Sequence, residues 1–251
     1  MLQRLDVALL PGEVTAVPAD AFPADAYIVI DVLRATTTIA TLFAGGLERL
    51  TVTATVEAAL RLAAEGATLF GEIDGLPPSG FDYGNSPVEA ATVDVRGRTA
   101  ALFTTNGTRA LCGVADRAAA YAGAIANSTA MARHVAARHR RVVILCSGTE
   151  GGTRFTLEDL AGAGAIAQAL VAIAPDLQLG DGALLAVESV ARWPGGPPAM
   201  VATAEHANAL REIDLGDDIT AAGIADTSAA VPIVVACGDG WATLEDAARG
   251  V

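Results

Sequence analysis

The chain has 251 residues, 52% of them hydrophobic, with a formal net charge of −13. That length buries a sizeable core without metals or disulfides, and no segment reaches the roughly 18 consecutive apolar residues a membrane span needs. The acidic balance argues against nucleic acid, which demands a basic patch, and the one dense basic run, Arg138 to Arg141, falls where cations complement a helix end.

All sixteen Lys and Arg residues are arginines. A Walker-type ATPase, a Schiff-base aldolase and a pyridoxal enzyme each need a lysine amine, so all three are excluded. Cys112, Cys146 and Cys237 are too few and too scattered for a disulfide framework or zinc cluster, which points to a reducing cytoplasm. Asp6 and the early Pro11-Gly12 break argue against a signal peptide.

In chain order, apolar runs predict strands at Asp6–Leu10 and Tyr27–Ile30, the second ending on Asp31 and followed by Arg34, Thr36, Thr37 and Thr38. A helix over Thr37–Ala44 closes at Gly45-Gly46; a strand at Leu50–Thr53 and a helix over Val56–Glu65 come next. The strand Thr68–Phe70 leads to Glu72 and Asp74, then to GFDYGNSP with Asp82, Asn85 and Ser86. Strand Thr99–Phe103 leads to TTNGTR, with Thr104, Thr105, Asn106, Thr108 and Arg109. Strand Tyr121–Ile125 precedes Asn127, Ser128 and Thr129 and a helix over Ser128–His139. Strand Val142–Cys146 runs into SGTEGGTRF, with Ser147, Glu150 and Arg154, ahead of a helix over Leu157–Ala174 that Pro175 stops. Thr156 is placed to cap that helix, with Glu158 and Asp159 in its first turn. Asp181 to Arg192 reads as helix or strand, 193–198 as a break, Ala199–Arg211 as helix and Ile233–Ala236 as the last strand. The alternation predicts an α/β protein of one domain, helices covering both sides of a mixed or mostly parallel sheet, with the 193–198 break inside it.

In such sheets ligands collect at the carboxyl ends of strands. Five successive strand ends here carry carboxylates, hydroxyls, amides and arginines. Oxygen ligands suit Mg²⁺, which also touches substrate phosphate, and arginine forks match phosphate or sulfonate oxygens. Together they suit a small, highly anionic substrate held by arginines and a metal. Each feature has a plainer reading: Asp31 as a helix cap, TTNGTR and Asn85-Ser86-Pro87 as turns, Glu158 and Asp159 as first-turn decoration. Other schemes fit less well. His134 and His139 lie in an Arg-rich helix, and His206 stands apart with its role open. Cysteine phosphatases place arginine six residues after the nucleophile; counting from Cys146, that position is Gly152, and Arg154 comes later. The residue two after Asp31 is Leu33, which breaks the aspartyl-phosphatase pattern, and no strand precedes a GxGxxG.

IDVLRATTTIA from Ile30, GFDYGNSP from Gly80, TTNGTRAL from Thr104, Asn127-Ser128 and FTLEDLAGAG from Phe155 stand in the order found in one known family. On these blocks, with LGDDIT from Leu215 and Asp226 ahead of Val231-Pro232, the chain resembles the 2-phosphosulfolactate phosphatases of coenzyme M biosynthesis. The resemblance implies a three-layer α/β/α fold and Mg²⁺-dependent hydrolysis of (R)-2-phospho-3-sulfolactate to 3-sulfolactate and phosphate. The matching positions are Asp31, Arg34, Thr36, Asn85, Ser86, Thr105, Asn106, Arg109, Glu158 and Asp159. One departure is Ile73, where the family commonly has arginine, which leaves another small phosphorylated acid as an alternative substrate.

The roles that follow are these. Asp31 holds Mg²⁺ with help from Glu72, Asp82 or the Glu158/Asp159 pair, and Arg34 and Arg109 clamp the phosphoryl oxygens. Thr36, Thr37, Thr38 and Asn106 donate hydrogen bonds. Asn85, Ser86, Thr105, Asn127 and Ser128 complete the substrate site, and Arg154 meets the carboxylate or sulfonate end. Whether Asp31 attacks phosphorus or water does so stays open, as do a non-catalytic phosphorylated-metabolite binder and a homodimer.

Overall fold

Strand β2 (Ala26–Ile30) is buried at every position, as a strand covered on both faces must be. Ile28 and Ile30 enter one hydrophobic cluster, while Tyr27 and Val29 enter a second on the opposite face. That split repeats across the sheet and builds three layers. A computed structural model describes residues 1–18, 20–21 and 23–249.

The remaining strands are β1 (Arg4–Ala8), β3 (Arg49–Thr53), β4 (Thr68–Gly71), β5 (Thr99–Phe103), β6 (Ala119–Gly123), β7 (Arg141–Cys146), β8 (Gln178–Leu179), β9 (Pro232–Gly238) and β10 (Trp241–Asp246). The helices are α1 (Gly12–Thr15), α2 (Ala35–Ala44), α3 (Val56–Ala63), α4 (Pro87–Ala90), α5 (Gly107–Val114), α6 (Ser128–Arg138), α7 (Leu157–Ile173), α8 (Asp181–Arg192), α9 (Gly196–Thr203), α10 (Glu205–Glu212) and α11 (Gly216–Ala222). Among the described residues, one sheet has the order β4-β5-β3-β10-β9-β6-β2-β7-β1-β8. β4-β5-β3 and β6-β2-β7-β1-β8 are parallel blocks. The antiparallel β9–β10 hairpin splices them. Helices α6 to α11 supply one cluster, with Met131, Ile166, Val190 and Leu210, and α2 and α5 supply the other, with Ile39, Phe43 and Leu111. No helix among the described residues is long and apolar enough to cross a membrane.

Several boundaries differ from the sequence reading. After Asn106 the chain does not simply turn: α5 begins at Gly107, and its apolar Ala110, Leu111 and Val114 are buried on one side. The Asp181 to Arg192 stretch is helical. The break at 193–198 is a tight corner in which Gly195 (φ 85°) precedes α9, whose first turn accepts Pro197 and Pro198 because their missing N–H groups are unused there. The long helix expected over 199–211 divides at Ala204, which is extended (ψ 148°). Strand β10 escaped notice because only its central residues, Ala242 to Leu244, are buried. Thr156 stands at the N-cap of α7, yet its side chain makes no cap bond; the Oγ1 is buried without a partner.

Candidate active site

The chain ends of β2, β4, β5 and β7 meet at the start of α7. Asp31 follows β2, and its Oδ2 lies so close to Gly107 that an added Cβ there would sit 2.5 Å from it. Asn106 accepts the Gly151 N–H at 3.0 Å, which joins the end of β5 to the loop after β7. Glu72, beyond β4, accepts both the N–H and the hydroxyl of Thr105, at 2.9 and 3.0 Å. Asp31, Asn106, Thr149, Thr156, Glu158 and His206 are among the residues around a cavity of ≈ 10 Å³, about the room for one water-sized particle. It adjoins a cleft of ≈ 320 Å³ bordered by Arg154, Phe155, Glu158, Glu205 and His206. A roomier groove of ≈ 590 Å³ beside Arg49 and Trp241 is lined by no buried carboxylate.

Burial dominates the electrostatics. It pushes the Asp31 carboxyl up to about 6, the charge of Glu72 adds to the rise, and N–H groups of Ala35 and Gly107 oppose it. Burial likewise raises Glu158 to about 7, with Asp31 and Glu205 as repelling neighbours. Asp159 is raised well above the usual carboxylate range by burial and then by Asp31 and Glu158. Asp31 raises the proton affinity of both Glu158 and Asp159, and such a cluster of shifted acids is typical of functional sites. Burial and the nearby Arg34 charge lower His206, so its imidazole favours the neutral form.

The predicted residues divide by what their polar atoms already do. Asp159 accepts Val32 N–H and Gly148 N–H, both at 3.0 Å, and the Ser147 hydroxyl at 3.1 Å. Glu72 is similarly filled, since its second oxygen accepts Gly75 N–H at 3.0 Å. The hydroxyls of Thr36, Thr37 and Thr38 donate to the carbonyls of Asp31, Val32 and Asn85. Asn85 is buried, and its own Oδ1 has no partner. Asp82 sits apart, accepting Leu69 N–H at 2.8 Å beside β4. The Asn127 amide bonds the backbone of Ala124 and Ala230, and Ser128 bonds Asp226, so neither is brought to the cavity by these contacts. By contrast, among the described residues only its own backbone N–H meets the Glu158 carboxylate.

The three arginines occupy different settings. Arg34 is buried against Asp218, Nη1 to Oδ2 at 2.8 Å, with Nη2 donating to Gly75 O at 2.8 Å. Arg154 is half-exposed and pairs with Glu150 at 3.1 Å and Glu205 at 2.6 Å on the rim of the cleft. Arg109 is exposed on α5, next to Gly151, and makes no ion pair or hydrogen bond among the described residues. A guanidinium left open beside Asn106 is a ready donor to an anion.

The sequence reading missed Asp218, Gly75 and Gly107 and left His206 open. Asp218 stood in view within LGDDIT, but its partner lies 184 positions away. For Mg²⁺, the described residues present no group of three His, Cys, Asp or Glu side chains ready to enclose an ion. Mg²⁺ is ordinarily held by one or two carboxylates, waters and substrate phosphate, so such a cage is not required. Asp31 and Glu158, with Thr156, whose buried hydroxyl has no partner among the described residues, line the same ion-sized space and are a donor set that fits.

The 2-phosphosulpholactate phosphatase family matches residues 13–236. A probable 2-phosphosulfolactate phosphatase of Deinococcus radiodurans is 40% identical over 240 residues, covering 92% of this chain and 93% of that protein. One of Thermus thermophilus is 38% identical over 237 residues, covering 92% and 94%. A third, from a Synechococcus species, is 39% identical over 207 residues, covering 80% and 83%. This kinship supports phosphatase activity on a small phosphorylated metabolite, in keeping with a cavity that gathers buried acids beside Asn106. A match running from residue 13 to residue 236 leaves little of the sequence outside it, and the chain belongs to the 2-phosphosulpholactate phosphatase family.

Proposed function

We propose that the protein hydrolyses (R)-2-phospho-3-sulfolactate to 3-sulfolactate and phosphate in a Mg²⁺-dependent reaction in the cytoplasm. The observation that carries this reading is the gathering of Asp31, Glu158 and Asn106 around one ion-sized cavity, with the exposed Arg109 guanidinium beside Gly151, whose N–H Asn106 accepts. The names of the relatives support the choice of substrate.

Asp31 and Glu158 would hold Mg²⁺, which when bound supplies charge that polarises a phosphoryl oxygen. Arg109 and Asn106 orient the phosphoryl group; the Asn106 amide is steadied by Gly151 N–H and Thr105 Oγ1. Glu72 and Asp159 brace the surrounding loops through backbone N–H groups, and Asp159 also lines the cavity. The ester P–O bond breaks as an oxygen nucleophile adds to phosphorus, and the arginines stabilise the charge that moves onto the phosphoryl and leaving oxygens. Arg154, on the rim of the adjoining cleft, is placed for the carboxylate or sulfonate end, a role of added weight because Ile73 offers no charge.

The test is phosphate release from a panel of small phosphorylated acids that includes the sulfonated one, with and without Mg²⁺. Preference for 2-phospho-3-sulfolactate supports the reading. Turnover confined to another acid removes the substrate assignment, and no turnover of any member leaves only a binding protein. Activity that survives complete chelation sinks the metal assignment.

A further inference from the structure

We propose that Asp218 is a positioning residue for Arg34, the chain neighbour of the cavity-lining Leu33, fixing the guanidinium so that its unused N–H groups meet the phosphoryl oxygens. The inference rests on the phosphatase reading above. Arg34 precedes α2 and Asp218 lies in the first turn of α11, yet their side chains are only 3% and 2% exposed and meet at 2.8 Å. Burying such a pair costs most of what its attraction returns, so orientation rather than stability is its main contribution.

Both ends of the pair are braced. Asp218 Oδ1 accepts the Ser86 hydroxyl at 2.5 Å, leaving Oδ2 aimed at Arg34. Gly75 O takes Nη2, while Gly75 N–H is held by Glu72, whose other oxygen grips Thr105. Thr105 Oγ1 in turn accepts from Asn106, which lines the cavity. A continuous series of contacts therefore runs from α11 through Arg34 to the proposed phosphoryl site. A guanidinium has five N–H donors, and only two of those on Arg34 are engaged. The fork geometry of the free donors is set by the two that are fixed. The Arg34 charge also reaches His206, on the cavity wall.

The experiment is a double-mutant cycle of Asp218→Asn and Arg34→Ala, with folding checked by circular dichroism and thermal melting. Asp218→Asn should lower kcat/KM about 100-fold, the loss expected when a catalytic group shifts by about 1 Å, and weaken competitive inhibition by inorganic phosphate. The same substitution placed on Arg34→Ala should have no further effect on either quantity. Folded Asp218→Asn protein with wild-type kcat/KM and phosphate inhibition overturns the proposal, as do losses that simply multiply. If Asp218→Asn does not fold, Ser86→Ala keeps the ion pair but removes its brace; weaker phosphate inhibition supports the idea and unchanged inhibition rejects it. Should the wild type turn over no phosphorylated acid, the phosphatase reading fails by itself. Calorimetric binding of inorganic phosphate then decides the role of Asp218, equal affinity in wild type and variant overturning it.

Discussion

Asp159 accepts the backbone N–H of Val32 at 3.0 Å, fastening the first turn of α7 to the loop after β2 across 127 positions of sequence. The other Asp159 oxygen takes Gly148 N–H at 3.0 Å, so one carboxylate ties three segments around Asp31. An acid in a first helical turn ordinarily serves the helix dipole. Here it also satisfies buried N–H groups elsewhere.

Asp159→Asn removes one of those two acceptors, because an amide offers a single carbonyl oxygen. A buried N–H left unpaired costs about 1–3 kcal/mol. Urea denaturation should show a lower midpoint with an unchanged slope. An unaltered midpoint would show that water or a shifted backbone meets the stranded donor.

The contribution of Asp31 and Glu158 to the stability of the metal-free protein should fall as pH rises. Folding lifts Asp31 from 3.8 to about 6 and Glu158 from 4.5 to about 7, so the native state binds more protons than the unfolded chain between these values. The slope of unfolding free energy with pH is therefore negative, and the contribution, complete below the unfolded values, disappears as pH passes the folded ones. Melting temperature should decline from pH 4 towards pH 8, and Asp31→Asn should flatten that decline. Added Mg²⁺, by favouring the ionised acids, should recover much of the loss at pH 8. A melting temperature indifferent to Mg²⁺ there counts against Asp31 and Glu158 as its ligands.

Gly107→Ala separates helix propensity from tertiary fit. At the start of α5, alanine is the better helix former by about 1 kcal/mol. Its Cβ, however, would lie 2.5 Å from Asp31 Oδ2 and 2.8 Å from Ala35 Cβ. Displacement of Asp31 should reduce kcat/KM about 100-fold while far-ultraviolet circular dichroism keeps its shape. Wild-type activity in this variant would mean that Asp31 need not stay where it is.

Arg34→Ala and Arg109→Ala should differ in stability although both impair turnover. Removing Arg34 strands the Asp218 carboxylate in the interior, a change that typically costs about 3–5 kcal/mol. Arg109 is exposed and unpaired, so its loss should alter stability by no more than about 0.5 kcal/mol. Parallel denaturation curves and kcat/KM values check the contrast. Equal destabilisation would contradict the settings of the two arginines.

The sequence by itself determined the layers and the polar edge. Ile28 and Ile30 alternate with Tyr27 and Val29, and such a strand can be satisfied only by cover on both faces. Polar residues after each apolar run then had to lie at strand ends, which is why Asp31, Glu72, Asn106 and Glu158 were legible as one group. The sequence could not tell which polar atoms remain free, because hydrogen-bond pairing is decided by distance in space. Only the tertiary structure joined Arg34 to Asp218, occupied Glu72 and Asp159 with backbone donors, and drew Asn127 to Ala230 and Ser128 to Asp226. Among the described residues it also left the Thr156 hydroxyl and the Arg109 guanidinium without partners. Residue type sets what a side chain can bind; the packing of distant segments sets whether anything is left to bind with.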